Sequence, residues 1–139
     1  MKYLLDTCVV SESTKRRPNK RAMEWLSSVP IADTWLSSVT IGEIQKGVHS
    51  LDESDPMRQR LEDWLAQVRE AYASRILAFD EETALLWGRF AGLASREGRP
   101  KPFADSQIAA TALRHGMVLA TRNVRDMENL GVKIINPFE

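Results

Sequence analysis

The stretch that decides the fold is Lys2-Tyr3-Leu4-Leu5-Asp6-Thr7, at the start of the chain. Residues 2–5 predict a short strand buried on both faces, as the strands of parallel sheets are. Asp6 follows at once, an acidic side chain where a burial argument expects an apolar one. A carboxylate in such a place is costly unless a cation or hydrogen bonds offset its burial. The stretch therefore predicts a sheet with a functional carboxylate at the end of its first strand.

Outward from residues 2–7, short apolar segments alternate with helical patterns. Further strands are predicted at residues 34–38, 75–79, 117–120 and 132–135. Helices are predicted at residues 7–13, from Asn19, at residues 39–50, along the face Leu61, Trp64, Leu65, Val68 and Tyr72, from Asp80, and at residues 103–115. Thr7 is a candidate N-cap of the first helix, and Gly116 closes the last one. This alternation favours an α/β fold whose parallel sheet is covered by helices on both faces.

The composition is that of a small globular protein. Its 139 residues, 43% of them hydrophobic, suit one domain spanning residues 1–139. Lysine plus arginine equals aspartate plus glutamate, 19 each, so net charge does not indicate a nucleic-acid binder, although local clustering decides such contacts. Cys8, the only cysteine, excludes an intramolecular disulfide and fits a reducing cytosol. Because no segment has the ~18 apolar residues of a membrane span and Asp6 breaks the first apolar run, we expect a cytoplasmic protein.

Three acidic residues from distant segments are the candidate functional groups. Besides Asp6, Glu43 lies one turn into the helix at 39–50, and Asp105 lies in the first turn of the helix at 103–115. Each has a simpler interpretation, as a helix cap, a solvated side chain and an acid favoured by the helix dipole, respectively. Their joint placement at strand ends and helix starts favours one pocket, since functional groups collect at the carboxyl ends of parallel strands. Mg²⁺ or Mn²⁺ takes oxygen ligands of this kind and can activate water for attack on a phosphate.

Four stretches of the chain carry a resemblance to a known family. They are residues 4–7, 38–44, 102–112 and 119–127. Each is a weak motif alone, but the four keep their order and spacing from residue 1 to about 137. Together they make the chain resemble the PIN-domain ribonucleases. Within that family it is similar to the toxin component of VapBC-type toxin–antitoxin pairs.

The resemblance implies a PIN-like three-layer α/β/α fold with a parallel sheet of about five strands. It also implies an endoribonuclease that uses Mg²⁺ or Mn²⁺, held by Asp6, Glu43 and Asp105. The expected partners are an RNA substrate, a cognate antitoxin that blocks the acidic pocket, and a second copy of the chain in a homodimer.

Two further catalytic positions follow from the resemblance, Thr121 and Asn123. Thr121 matches the family threonine and would orient a carboxylate or a water molecule. Asn123 occupies the family's fourth acidic position, which puts a second metal ion in question, and Asp126 is the residue that would compensate through water. Without the resemblance, Thr121 and Asn123 could merely shape the turn after the strand at 117–120.

Cations cluster at residues 15–21 and near the acidic residues. Because an RNA backbone beside an acidic site needs nearby cations, we expect Arg96, Lys101 and Arg122 to contact the substrate. A charge run is more often a solvated face, and the same surface could meet an antitoxin segment. The four tryptophans could stack bases, but their positions on apolar helix faces favour core or dimer packing.

Two other functions remain open from the sequence. The first is another Mg²⁺-dependent α/β phosphotransfer protein, such as a haloacid-dehalogenase-type phosphatase or a receiver domain. Such a phosphatase would have a second aspartate two residues after the first, where this chain has Cys8. The second is a PIN-fold binding module without catalysis, which retention of Asp6, Glu43 and Asp105 disfavours and Asn123 allows.

Overall fold

Five short parallel strands form the centre of the molecule. The structure, a computed structural model, describes residues 1–99 and 102–139. Its strands are β1 (Tyr3–Leu5), β2 (Thr34–Ser37), β3 (Ile76–Leu77), β4 (Val118–Ala120) and β5 (Ile134–Ile135). They lie in the order β3-β2-β1-β4-β5, and every neighbouring pair is parallel. The five predicted strands are confirmed, with shorter bounds, and β1 occupies the middle of the sheet.

Helices cover both faces of this sheet, as predicted. Those within the described residues are α1 (Thr7–Val10), α2 (Lys20–Ser28), α3 (Ser38–His49), α4 (Pro56–Ala71), α5 (Glu81–Arg96), α6 (Phe103–Arg114) and α7 (Val124–Met127). Two 3₁₀ turns, Glu12–Thr14 and Ile31–Asp33, lie between them. The three-layer α/β/α architecture is therefore confirmed. No helix in the described part of the chain is both long and apolar enough to cross a bilayer.

The core has one half on each face of the sheet, because successive side chains of a strand point in opposite directions. Leu5 packs on one face with buried side chains of α1, α3 and α4. Leu4 packs on the other face with buried side chains of α6 and α7. Leu4 is 0% exposed and Leu5 is 1% exposed. Truncating either side chain to alanine would lower the free energy of unfolding by ~2–5 kcal/mol. Two-sided burial is the reason that β1 is apolar throughout.

Local capping explains where several helices begin. Asn19 caps α2 by accepting a hydrogen bond from Ala22 N at 3.0 Å, and Asp80 caps α5, both as predicted. The prediction that Thr7 caps the first helix is wrong. Asp6 is the N-cap, since its Oδ1 accepts from Thr7 N at 2.8 Å, and Thr7 is the first helical residue.

The fold gathers helix starts at one edge of the sheet. Asp6 joins β1 directly to α1, and Ser37 is both the last residue of β2 and the N-cap of α3. Helix α6 runs back across the sheet into β4, through Gly116 with its φ of 65°. Because the C-terminus of α6 leads into the start of β4, the N-terminus of α6 lies at the carboxyl edge of the strands. This edge holds the predicted acidic residues.

Candidate active site

Asp6 is a buried carboxylate with hydrogen bonds on both oxygens. It is 2% exposed, and its backbone N–H donates to the carbonyl of Ala120, which ties the end of β1 to the end of β4. Oδ1 accepts from Thr7 N, and Oδ2 accepts from the hydroxyl of Thr121 at 2.7 Å. Hydrogen bonds to the charged form offset burial of a carboxylate. Asp6 is thus both a helix cap, as its simpler interpretation held, and a fixed acid at the edge of the sheet.

Thr121 connects the loop after β4 to this acid. Its side chain is fully buried, and its Oγ1 also accepts a hydrogen bond from Asn123 N at 2.9 Å. One hydroxyl therefore orients the Asp6 carboxylate and shapes the turn that follows the strand. Both interpretations of Thr121 hold together. Asn123 enters this arrangement through its backbone, as the N-cap residue of α7, with no side-chain capping bond.

Glu43 is linked to Asp6 through one residue, Thr7. The Thr7 hydroxyl donates to Glu43 Oε1 at 2.6 Å, while the Thr7 N–H donates to Asp6. Glu43 is half-buried on α3, so it is not the freely solvated side chain of its simpler interpretation. The sequence analysis missed this bridging role of Thr7. Its position directly after the strand-ending acid was the available signal.

Asp105 lies among like charges. It is half-buried in the first turn of α6, and the pKa of its carboxyl is raised to about 6. Burial is the largest cause, and the nearby carboxylates of Asp6, Asp126 and Glu43, in that order, supply the rest. Among the described residues, no cation contributes to this shift. The structure thus brings four acids into one electrostatic neighbourhood, and the fourth is Asp126 of α7.

This neighbourhood is not a closed metal cage. Across residues 1–99 and 102–139, no three acidic, histidine or cysteine side chains converge closely enough to hold one ion. Asp6 and Glu43 are instead held by hydrogen bonds to threonines, and repulsion between carboxylates opposes closure. A cation would have to draw the side chains together.

Cys8 lies beside the same acid and is held neutral. The pKa of its thiol is raised to about 11, first by burial and then by the Asp6 carboxylate. Its Sγ lies 3.6 Å from Asp6 Oδ2 and accepts from Arg122 N at 3.5 Å. A neutral thiol in this position is a weak donor and not a nucleophile. Cys8 itself is half-buried in this environment.

The three predicted substrate contacts differ in position. Arg122 follows Thr121 directly, is exposed, and stacks its guanidinium 3.8 Å from the centroid of the Phe138 ring. Arg96 is the exposed last residue of α5, on the connector that leads to Asp105. Lys101 lies outside the described residues. Contact of these residues with RNA stays a prediction.

Comparison with known proteins agrees with the fold. The toxin FitB of Neisseria gonorrhoeae (strain ATCC 700825 / FA 1090) is 35% identical over 138 residues, 97% of each chain. The VapC ribonuclease Y4jK of Sinorhizobium fredii (strain NBRC 101917 / NGR234) is 33% identical over 139 residues, 98% of this chain and 97% of that protein. The structure of FitAB bound to the IR36 DNA fragment superposes with a TM-score of 0.90 at 35% identity, covering 99% of this chain and 96% of that one. The PIN domain model matches residues 3–133, and this chain belongs to the PIN domain family.

Proposed function

We propose that this chain is an endoribonuclease that acts as the toxin of a toxin–antitoxin pair and depends on Mg²⁺ or Mn²⁺. The observation that carries the proposal is the buried Asp6 carboxylate, fixed by two threonines at an edge where three further acids gather. The names of two relatives, a toxin and a ribonuclease, support the same activity. We propose that residues 1–139 act as one domain in the cytoplasm.

The donor set fits a hard divalent ion. Asp6, Glu43 and Asp105 offer carboxylate oxygens, which Mg²⁺ and Mn²⁺ prefer. The raised pKa of Asp105 reflects its burial first and then the repulsion by the neighbouring carboxylates. When bound, the ion would activate a water molecule and stabilise the charge that develops on the phosphoryl group. Asp126 is the candidate fourth acid in place of Asn123, because its charge acts on Asp105.

The chain's own residues position these acids. Thr121 holds one oxygen of Asp6, so that the carboxylate keeps one orientation at the end of β1. Thr7 holds Glu43 at a fixed place relative to Asp6. Both hydroxyls lie on the strand-to-helix edge, which gives the acids a rigid support.

Cations near the acids would attract the RNA backbone. Arg122 is one residue from Thr121, and Arg96 and Lys101 precede Asp105 in the chain. Their charges would offset the repulsion between the acidic edge and a phosphate chain. These three residues are the proposed substrate contacts.

The proposed protein partner is a cognate antitoxin. An active ribonuclease in the cytoplasm would damage its host, and the solved neighbour FitAB is a complex. An arginine or lysine of an antitoxin could reach the four acids and take the place of the cation. We also propose that the chain forms a homodimer, as the family resemblance implies.

Inducible expression in a bacterial host tests this function. The wild-type chain should arrest growth and produce cleaved RNA, and co-expression of the adjacent small gene should restore growth. Asp6→Asn should be harmless. A matched control is Asp63→Asn, which changes an exposed carboxylate on α4 that accepts a hydrogen bond from Gln59 Nε2. Arrest by Asp6→Asn as strong as that by the wild type would contradict the proposed site, and harmless wild type would contradict the toxin role.

A further inference from the structure

A groove lies between the 3₁₀ turn after α1 and helix α4, and none of the four acids lines it. Its lining, which defines what we call the basic groove, is Ser13, Thr14, Lys15, Arg16, Met57, Arg60, Leu61 and Trp64. Its volume is about 570 Å³, within the ~300–1,000 Å³ of ordinary ligand sites. Among these described lining residues there are three cations and no carboxylate.

Two of the three cations are available to a ligand. Arg16 and Arg60 are exposed, and neither forms an ion pair within residues 1–99 and 102–139. Lys15 differs, because its Nζ lies 3.0 Å from Oε1 of Glu12. Surface arginines without a partner are suited to phosphate, which their planar guanidinium can bind with two hydrogen bonds.

Glu12 connects the basic groove to the acidic edge. It is a buried carboxylate, 2% exposed, which the sequence analysis missed. Burial alone would raise its pKa, but a hydrogen bond from Asn19 N at 2.7 Å and the Lys15 ammonium hold that pKa below its usual range. The charge of Arg122 acts in the same direction. Lys15, at the groove, and Arg122, at the acidic edge, thus both act on one fixed anion.

Trp64 adds an aromatic surface to the groove. It is half-buried, packing partly against the core of the α4 face and lining the groove with the remainder. An aromatic side chain beside unpaired arginines is a typical combination for single-stranded nucleic acid, where base stacking contributes ~1–3 kcal/mol per base.

We propose that the basic groove binds single-stranded RNA that flanks the scissile phosphate, with Arg16 and Arg60 on phosphates and Trp64 against a base. This inference rests on the proposed function, because it extends the path of the same substrate past Arg122. RNA is favoured over an acidic protein segment because Lys15 of the groove and Arg122, beside the site proposed to cut RNA, both act on the Glu12 carboxylate. Binding of an acidic antitoxin segment there is the competing outcome of the test.

The test measures RNA binding without cleavage. A fluorescein-labelled single-stranded oligoribonucleotide is titrated with protein in EDTA, and anisotropy is followed at several salt concentrations. The test variant is Arg16→Gln/Arg60→Gln. The control, Arg69→Gln/Arg89→Gln, removes the same charge from exposed arginines outside the groove. Arg69 follows Arg60 on α4 by two and a half turns, and so faces the opposite side of the helix.

Loss of two phosphate contacts should reduce the salt slope by about 1.4 and weaken binding at 0.1 M salt by about 25-fold. The control should change the affinity by less than about 3-fold. A second pair separates stacking from charge: Trp64→Leu should weaken binding, and Trp64→Phe should retain it, at equal folded fractions by circular dichroism.

Equal effects of the groove and control variants on RNA affinity would overturn the inference. So would unchanged RNA affinity together with lost affinity for the co-expressed antitoxin, which would assign the groove to the protein partner. Failure of the proposed function is a separate result, because binding is measured without metal. If the wild-type chain cuts no RNA but binds it, and the groove variant loses that binding, the proposed nuclease activity is refuted and the proposed RNA binding by the basic groove stands.

Discussion

Replacing Asp105 by asparagine should stabilise the metal-free protein, and only above acidic pH. The folded-state pKa of Asp105 is raised from 3.8 to about 6 by burial and three carboxylates. A group with a raised folded pKa contributes stability below its unfolded pKa and loses that contribution as pH rises through the folded one. The free energy of unfolding of Asp105→Asn, relative to that of the wild type, should therefore increase between about pH 4 and pH 7 and then stay constant.

The size of the effect follows from the shift. About two pKa units correspond to roughly 3 kcal/mol, at ~1.36 kcal/mol per unit. Asp105 is only half-buried, so solvent screening reduces the expected difference. Between low and neutral pH, the free energy of unfolding of Asp105→Asn relative to the wild type should rise by about 1 kcal/mol. Urea unfolding in EDTA at pH 4.5 and pH 7.5, followed by tryptophan fluorescence, measures it. Asp63→Asn is the control, since its exposed carboxylate lies on α4.

Divalent metal should reverse the order of stability. At 100 times its dissociation constant, an ion adds ~2.7 kcal/mol to the wild-type protein and less to Asp105→Asn. In EDTA, an Asp105→Asn variant that is less stable than the wild type at pH 7.5, or that is stabilised equally at pH 4.5 and pH 7.5, would refute the reasoning about repelling carboxylates.

Three further predictions concern the neighbours of this acid. Thr121→Val should lower the free energy of unfolding by ~1–3 kcal/mol, because the buried Asp6 carboxylate loses a hydrogen bond, while Thr121→Ser should restore most of it in urea titrations. Asn123→Asp should tighten Mn²⁺ binding in calorimetry and Asp126→Asn should weaken it; unchanged affinity in both would leave the site with three acids. The Cys8 thiol, with its pKa near 11, should react with iodoacetamide at pH 8 far more slowly in the folded than in the urea-unfolded chain, and equal rates would contradict its burial.

The strands and most helices of this fold were predictable because their signals are local. The apolar run at residues 2–5, the caps Asn19 and Asp80, and Gly116 at the end of α6 each depend on neighbours in sequence. The short helix α7 was not predicted, since its four residues offer no helical periodicity. The strand order was not predictable in the same way, because which strand pairs with β1 depends on contacts between distant segments.

The candidate site also combines residues that the sequence indicates with contacts that depend on distant segments. Asp6, Glu43 and Asp105 were found because acids at strand ends and helix starts are visible in the sequence. The bridge from Thr7 to Glu43 spans 36 positions, so the position of Thr7 after Asp6 is visible in the sequence but its partner is not. Glu12 accepts a hydrogen bond from Asn19 N, which depends on the packing of the 3₁₀ turn Glu12–Thr14 against α2, as the Thr7 bridge depends on the packing of α1 against α3. The catalytic roles themselves stay predictions.

The most direct test of the central claim is RNA cleavage by the purified chain with Mg²⁺, Mn²⁺ or EDTA, alongside Asp6→Asn and Asp63→Asn. A panel of structured RNAs should be cut internally by the wild type and by Asp63→Asn when either ion is present. Cleavage should stop in EDTA and fall by orders of magnitude in Asp6→Asn, because the ion and its buried ligand act together. Cleavage that persists in EDTA, or that Asp6→Asn retains in full, would contradict a metal-dependent ribonuclease built on Asp6.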